Sequence, residues 1–163
     1  MRKLLILGVF ILAVGVVPVR AQEYPKAEVF GGYQYIRLNP GGANCQGFGG
    51  AVTGNVNNWF GAVGDFGYCR VSGVNAVNYL FGPRVTYRSY GSLTPFAHVL
   101  FGGQHGGSAN SFAMALGGGA DYKLTEHVGL RLIQVEYLYT HFAGTRQNNA
   151  RIESGIVYRW GGR

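Results

Sequence analysis

Several hallmarks of other protein classes are missing from this sequence. Beyond residue 21, no stretch reaches the about 18 consecutive apolar residues of a membrane-spanning helix, so we expect no helical span. No cluster of lysine and arginine residues is present there either, which gives a nucleic-acid-binding function little support. The four histidines are scattered and have no clusters of cysteine or acidic residues around them. We therefore expect no metal site and no cofactor.

The start of the chain has the pattern of a secretion signal. A basic pair precedes an apolar run over residues 4–17, and Val19 and Ala21 place small residues at the −3 and −1 positions of a cleavage site. The apolar run is too short to cross a bilayer core of about 30 Å as a helix. We therefore predict a cleaved signal peptide at residues 1–21 and one exported domain at residues 22–163, with an uncleaved anchor as the alternative.

Apolar and polar residues alternate along eight stretches of the remaining chain, as in strands that are apolar on one face. Most stretches are about 11 residues long, the length of a tilted transmembrane strand. Proline is sparse and glycine abundant, with 5 and 28 residues, which suits tightly curved sheet. The stretches cover residues 27–37, 45–55, 59–69, 78–88, 94–104, 111–121, 128–140 and 150–160.

The connections between these stretches differ in length. The short ones are residues 56–58 and 124–127, and the longer ones are residues 38–44, 70–77, 105–110 and 141–149. Short turns that alternate with longer loops are typical of outer-membrane barrels, whose short turns face the periplasm. An open sheet edge in hydrocarbon would leave backbone groups unpaired, so the strands must close. We therefore predict an all-β fold, an eight-stranded antiparallel up-and-down transmembrane β-barrel with both termini periplasmic.

Charged and aromatic residues occupy opposite faces of the predicted strands. In the fourth stretch, Tyr79, Phe81 and Tyr87 share one face, whereas Arg84 and Arg88 share the other. A basic side chain at the middle of a bilayer costs about 2 to 4 kcal/mol, so the charged face must line the lumen. A soluble barrel would reverse the two faces. The outward rings are predicted to form belts at the two headgroup levels, although aromatic residues favour strands in general.

The inward face combines both signs of charge, and we expect one internal network of ion pairs and hydrogen bonds. An unpaired buried charge is costly, so mixed signs in a narrow lumen form a self-consistent arrangement. The network is predicted to comprise Glu28, Asp65, Arg84, His98, Asp121, Arg131, Glu136, Arg151, Glu153 and Arg159.

Strand pairing predicts particular contacts within this network. The predicted pairs are Asp121 with Arg131, Arg84 with His98 and, across the barrel seam, Glu28 with Arg159. After Arg131 the alternation slips by one residue, because Gln134 and Glu136 have the other parity. A β-bulge near Leu132 and Ile133 would return both side chains to the lumen.

The two cysteines are predicted to form a disulfide. If residues 56–58 form a three-residue turn, Asn55 faces Trp59 and Cys45 lies directly opposite Cys69. Directly opposed residues of an antiparallel pair are about 4.5 to 5.5 Å apart at Cα, within disulfide range. An exported protein also meets an oxidising environment. Two free thiols are the alternative.

Five segments of the chain resemble a known family. They are Val29-Phe30-Gly31-Gly32-Tyr33-Gln34-Tyr35, Trp59-Phe60-Gly61-Ala62-Val63-Gly64-Asp65-Phe66, Thr94-Pro95-Phe96-Ala97-His98, Gly117-Gly118-Gly119-Ala120-Asp121-Tyr122 and Gly155-Ile156-Val157-Tyr158-Arg159-Trp160. These segments look like the small bacterial outer-membrane β-barrel domain often labelled porin family, similar to the transmembrane part of outer membrane protein A. The resemblance covers nearly all of residues 22–163. Such barrels usually end on an aromatic residue, whereas Trp160 is followed by Gly161-Gly162-Arg163.

The resemblance implies a location and partners more directly than an activity. It implies the outer membrane of a Gram-negative-type bacterium, contact with its lipid and lipopolysaccharide, insertion by the barrel-assembly machinery, and a monomer. An eight-stranded barrel is just wide enough for its own side chains, so we expect a largely filled lumen and a structural or surface-interaction role. The alternative is a narrow passive channel for ions or small solutes.

We expect no enzyme activity. The serine and histidine combinations that resemble catalytic pairs are Ser154 with His141 and Ser108 with His105, and neither has a supporting acid at a recognisable spacing.

Overall fold

Eight antiparallel strands form a closed barrel. The computed structural model of the protein describes residues 24–39, 41–71, 73–88, 91–107, 109–142 and 145–161. The strands are β1 (Ala27–Arg37), β2 (Asn44–Asn55), β3 (Phe60–Val71), β4 (Val74–Thr86), β5 (Leu93–Gly106), β6 (Ala109–Lys123), β7 (Val128–Phe142) and β8 (Thr145–Trp160). Each strand pairs with its neighbours in sequence, and β1 pairs with β8. The predicted all-β, eight-stranded barrel is therefore confirmed, whereas the predicted signal peptide lies outside the described residues.

No helix in the described ranges is long and apolar enough to cross a bilayer. The chain termini lie at one end of the barrel, the terminal end, and the opposite end is called the distal end. At the terminal end, residues 56–59, 87–92 and 124–127 connect the strands.

The strands extend further at the distal end than the sequence suggested. Only residues 72–73, 107–108 and 143–144 connect the last three pairs of strands there, so the longer loops predicted in these regions are wrong. Asparagines within the predicted loop ranges bond across neighbouring strands instead. The Tyr68 hydroxyl donates to Asn75 Oδ1 at 3.0 Å, and the Tyr137 hydroxyl donates to Asn148 Oδ1 at 2.6 Å. Three of the four connections at the distal end are therefore shorter than every connection at the terminal end, so the predicted assignment of the short turns to the end with the termini is wrong.

The outward face of the barrel is apolar and rich in aromatic rings. Phe48, Phe81 and Leu116 are among the large apolar side chains that are more than half exposed. Aromatic rings lie near both ends, with Tyr158 and Trp160 at the terminal end. This arrangement inverts that of a soluble protein, because apolar groups point outward and charged groups inward, and it suits a hydrocarbon environment.

Inward-facing glycines make room for large polar side chains in the lumen. A Cβ added at Gly49 would collide with the Glu153 carboxylate, and one added at Gly67 would collide with the side-chain amides of Asn78 and Gln34. The polar side chains therefore occupy space that these glycines leave open. The high glycine content is in part a steric requirement of the filled lumen.

Candidate functional site

All ten residues of the predicted network line the lumen, and each is at most 8% exposed. The strand registers pair Arg84 with His98, Asp121 with Arg131, and Glu28 with Arg159, as predicted. The register of β7 with β8 shifts between Arg131 and Gln134, where the sequence predicted a bulge. This shift returns Gln134 and Glu136 to the inward face.

A first group of ion pairs lies toward the terminal end and is centred on Asp121. The Nε of Arg131 lies 2.8 Å from Asp121 Oδ1, and Nη2 atoms of Arg84 and Arg159 each lie 3.4 Å from Asp121 Oδ2. Three guanidinium groups therefore surround one fully buried carboxylate. These contacts connect β6 with β4, β7 and β8.

Glu28 extends this group across the barrel seam. Its carboxylate lies 2.5 Å from Arg88 Nη2, 3.6 Å from Arg159 Nε and 3.8 Å from Arg84 Nη2. The Asn55 side chain also donates to it at 2.8 Å. We call this group the Asp121 cluster; it comprises Glu28, Arg84, Arg88, Asp121, Arg131 and Arg159.

A second group, the Arg151 cluster, lies farther from the terminal end. It comprises Asp65, His98, Glu136, Arg151 and Glu153. Arg151 Nη1 lies 2.7 Å from Asp65 Oδ1 and 3.9 Å from Glu153 Oε1, and Arg151 Nε donates to Glu136. The Glu136 carboxylate also lies 2.5 Å from His98 Nε2. One arginine therefore joins carboxylates from three strands.

Gln134 connects the two clusters. Its Oε1 accepts a hydrogen bond from Arg131 Nη1 at 2.6 Å. Its Nε2 donates to Glu136 Oε1 at 2.9 Å and to Glu153 Oε2 at 2.6 Å. Because the amide satisfies a cation on one side and carboxylates on the other, the contacts run without interruption from the Asp121 cluster to the Arg151 cluster.

The two clusters balance each other in formal charge. Five arginines face five carboxylates, but the Asp121 cluster has four arginines against two carboxylates, and the Arg151 cluster has one arginine against three. The two clusters together therefore have no formal net charge, whereas the Asp121 cluster alone has an excess of two positive charges and the Arg151 cluster an excess of two negative charges. Among the described residues, no group of histidine, cysteine and acidic side chains has the geometry of a metal site.

Two inward phenylalanines support the arginines, and the predicted network did not include them. Arg84 Cζ lies 3.9 Å from the ring centroid of Phe96, and Arg131 Cζ lies 4.1 Å from that of Phe30 and 4.5 Å from that of Phe96. A cation over a ring face is attracted by the ring quadrupole. Phe30 has the parity of Glu28, and Phe96 that of His98, so strand parity was the signal that could have identified both.

Cys45 and Cys69 form the predicted disulfide, with Cα atoms 5.5 Å apart. The register behind the prediction is wrong by two residues, because Gly47 rather than Cys45 pairs with Cys69. The turn before β3 contains residues 56–59, and the Asn57 side chain accepts hydrogen bonds from the backbone amides of Trp59 and Phe60. Since Gly47 has no side chain, the cysteines meet diagonally.

The structure does not bring Ser154 and His141 together. Ser154 donates to the backbone carbonyl of Arg131 at 3.0 Å, whereas His141 pairs with Arg146 near the distal end. Eight residues of strand separate Ser154 from Arg146, which corresponds to about 26 Å. Ser108, of the other combination, lies outside the described residues.

Comparison with known proteins relates the barrel to solved structures. No family model and no curated protein matches the chain. The outer membrane protein OprG from Pseudomonas aeruginosa has a TM-score of 0.62 at 10% identity, covering 87% of this chain and 99% of that one. Neisserial surface protein A has a TM-score of 0.60 at 13% identity, covering 83% and 97%. The attachment invasion locus protein Ail of Yersinia pestis has a TM-score of 0.57 at 15% identity, covering 83% and 99%.

The fold is that of a small outer-membrane β-barrel. At these identities the likeness is one of fold alone. It agrees with the fold that the sequence resemblance implied.

Proposed function

We propose that this protein is an integral β-barrel of the bacterial outer membrane with a structural or surface-interaction role and a lumen closed by its own charged side chains. The observation that supports this most strongly is the unbroken contact from the Asp121 cluster through Gln134 to the Arg151 cluster. Side chains from several strands thus meet inside a barrel that is just wide enough for them.

Opening the lumen would be costly. Arg151 is fully buried and contacts carboxylates of Asp65 on β3, Glu136 on β7 and Glu153 on β8. A passing ion would have to displace this guanidinium and leave at least one carboxylate unpaired. Breaking a buried ion pair in this way costs about 3 to 5 kcal/mol. A closed lumen is therefore favoured over a passive channel.

The terminal end is proposed to face the periplasm and the distal end the cell exterior. An even number of strands keeps both termini on one side, and the periplasm is the side from which an exported chain reaches the barrel-assembly machinery. The lumen is complete within one chain, which favours a monomer.

The distal rim is basic. Arg37, Arg70 and Arg146 are exposed there, as are His105 and His141. The acidic residues in the described part of the chain lie in the lumen or, for Glu126, at the terminal end. Exposed guanidinium groups form strong, charge-assisted hydrogen bonds with phosphate. This rim would therefore suit the phosphate groups of lipopolysaccharide in the outer leaflet.

Single-channel recording in a planar bilayer tests the closed lumen. The purified barrel, shown to be folded by its heat-dependent shift in gel mobility, is expected to give no steady conductance steps, while an open porin in the same bilayer serves as the positive control. Steady, ion-selective steps that change in a Glu136→Gln variant would overturn the proposal and favour the narrow channel.

A further inference from the structure

The distal end of the lumen contains a cavity of about 380 Å³ with a mainly apolar wall. We call it the distal cup; its lining includes Ile36, Leu38, Val71, Leu138 and the Cys45–Cys69 disulfide. The described residues that line it are all uncharged. Leu138 lies two residues beyond Glu136 on the same face of β7 and is 1% exposed, so it lies between the cup and that carboxylate.

Two glutamines interrupt the apolar wall, and they differ in their hydrogen bonding. Gln147 Oε1 accepts a hydrogen bond from the Thr140 hydroxyl at 3.4 Å. Gln104 Oε1 is buried and has no hydrogen-bond partner among the described residues. A buried acceptor without a partner is unfavourable because it has lost its bond to water. A hydrogen-bond donor on a molecule inside the cup would satisfy this oxygen.

We infer that the distal cup binds a small uncharged molecule that has an apolar body and one hydrogen-bond donor, which Gln104 accepts. The described lining residues are uncharged, so an ionic group inside the cup would find no partner there to compensate its desolvation. An engineered cavity of about 150 Å³ in another protein holds one benzene ring, so the cup has room for a larger body, such as a bicyclic phenol or a medium-chain alcohol. Such a ligand would enter from the distal side, and this site does not depend on whether the lumen conducts.

Methyl NMR of the full-length barrel in lipid nanodiscs, titrated with 1-naphthol, tests the site. The methyl groups of Ile36 and Leu138 lie in the cup, whereas Leu116 is 52% exposed on the outward face and reports partition into lipid. We expect saturable shifts at Ile36 and Leu138, and at most a linear drift at Leu116. Shifts at Leu116 alone, or shifts at all three that never saturate, would overturn the inference.

Two variants and a second ligand separate binding in the cup from other effects. Ala76→Trp fills the cavity from its wall and is expected to abolish the saturable shifts while the barrel stays folded in the gel-mobility assay.

Naphthalene, which has the ring system of 1-naphthol without the hydroxyl, tests the hydrogen bond to Gln104. The wild type is expected to prefer 1-naphthol by about fivefold, the worth of one neutral hydrogen bond, and Gln104→Leu is expected to lose that preference. Equal affinities in the wild type, or unchanged shifts in folded Ala76→Trp, would contradict the proposal.

Discussion

Toward the chain termini the lumen is filled by ion pairs, whereas toward the distal end it is lined by aliphatic side chains and a disulfide. In the first region, neighbouring cations and carboxylates form ion pairs, and Gln134 links the groups. In the second, Ile36, Val71 and Leu138 line the distal cup together with Cys45 and Cys69. The outward face of the barrel is thus apolar along its whole length, whereas the lining of the lumen changes from charged to apolar.

The two regions of the lumen should respond differently when a side chain is replaced. Buried ion pairs contribute little net stability relative to apolar packing, but loss of one partner is costly because it leaves an uncompensated charge. An apolar cavity can hold an apolar guest molecule without breaking any ion pair. The charged region is therefore suited to holding the strands in one arrangement, and the apolar region to accommodating a ligand.

Replacing Arg151 by methionine should give the largest effect. The change leaves Asp65, Glu136 and Glu153 without the guanidinium that they share. The free energy of unfolding should fall by about 3 to 5 kcal/mol. Urea-dependent refolding into lipid vesicles, followed by tryptophan fluorescence, measures this loss.

Arg37→Met is the matched control for that experiment. Arg37 is exposed at the distal rim, where its guanidinium donates to Asn44 at 2.7 Å. Its loss should change the free energy of unfolding by no more than about 0.5 kcal/mol. Similar small losses in both variants would contradict the view that the charged region holds the barrel together.

Removing the disulfide should have a somewhat smaller effect. Cys45 and Cys69 are 24 residues apart in sequence, and a cross-link over a loop of this size stabilises a fold by about 3 kcal/mol. The double Cys45→Ala, Cys69→Ala variant should lose that amount in the same refolding measurement. A reductant should destabilise the wild type and leave the double variant unchanged; a wild type insensitive to full reduction would disprove the prediction.

Glu153→Gln should have the smallest effect, within about 1 kcal/mol of the wild type. The Arg151 cluster has three carboxylates for one arginine, and the glutamine still accepts the hydrogen bond from Gln134, so loss of one negative charge is tolerated. Asp121→Asn is the matched comparison, because that carboxylate faces three arginines. It should lose about 3 kcal/mol or more. If Glu153→Gln lost more unfolding free energy than Asp121→Asn, the excess of arginines in the Asp121 cluster and of carboxylates in the Arg151 cluster would not explain the stability of the lumen.

Strand parity in the sequence was sufficient to predict the barrel, the inward charges and the bulge after Arg131. Local turn chemistry was less informative. Asn75 and Asn148 lie in ranges that were predicted as loops, but their side chains bond to tyrosines on the neighbouring strands. The register of β2 with β3 was wrong by two residues because Asn55 pairs with Gly61 rather than with Trp59, so five residues lie between the paired positions instead of three.

The sequence by itself determined which side chains point inward, because alternation along a strand is local and a membrane imposes opposite demands on the two faces. The tertiary structure decided which inward side chains meet. Arg151 joins carboxylates of three strands, and Phe96 lies beneath Arg84. The distal cup likewise exists only because closure brings Ile36, Val71 and Leu138 around one space. Such contacts depend on register and shear around the whole barrel, which no single strand encodes.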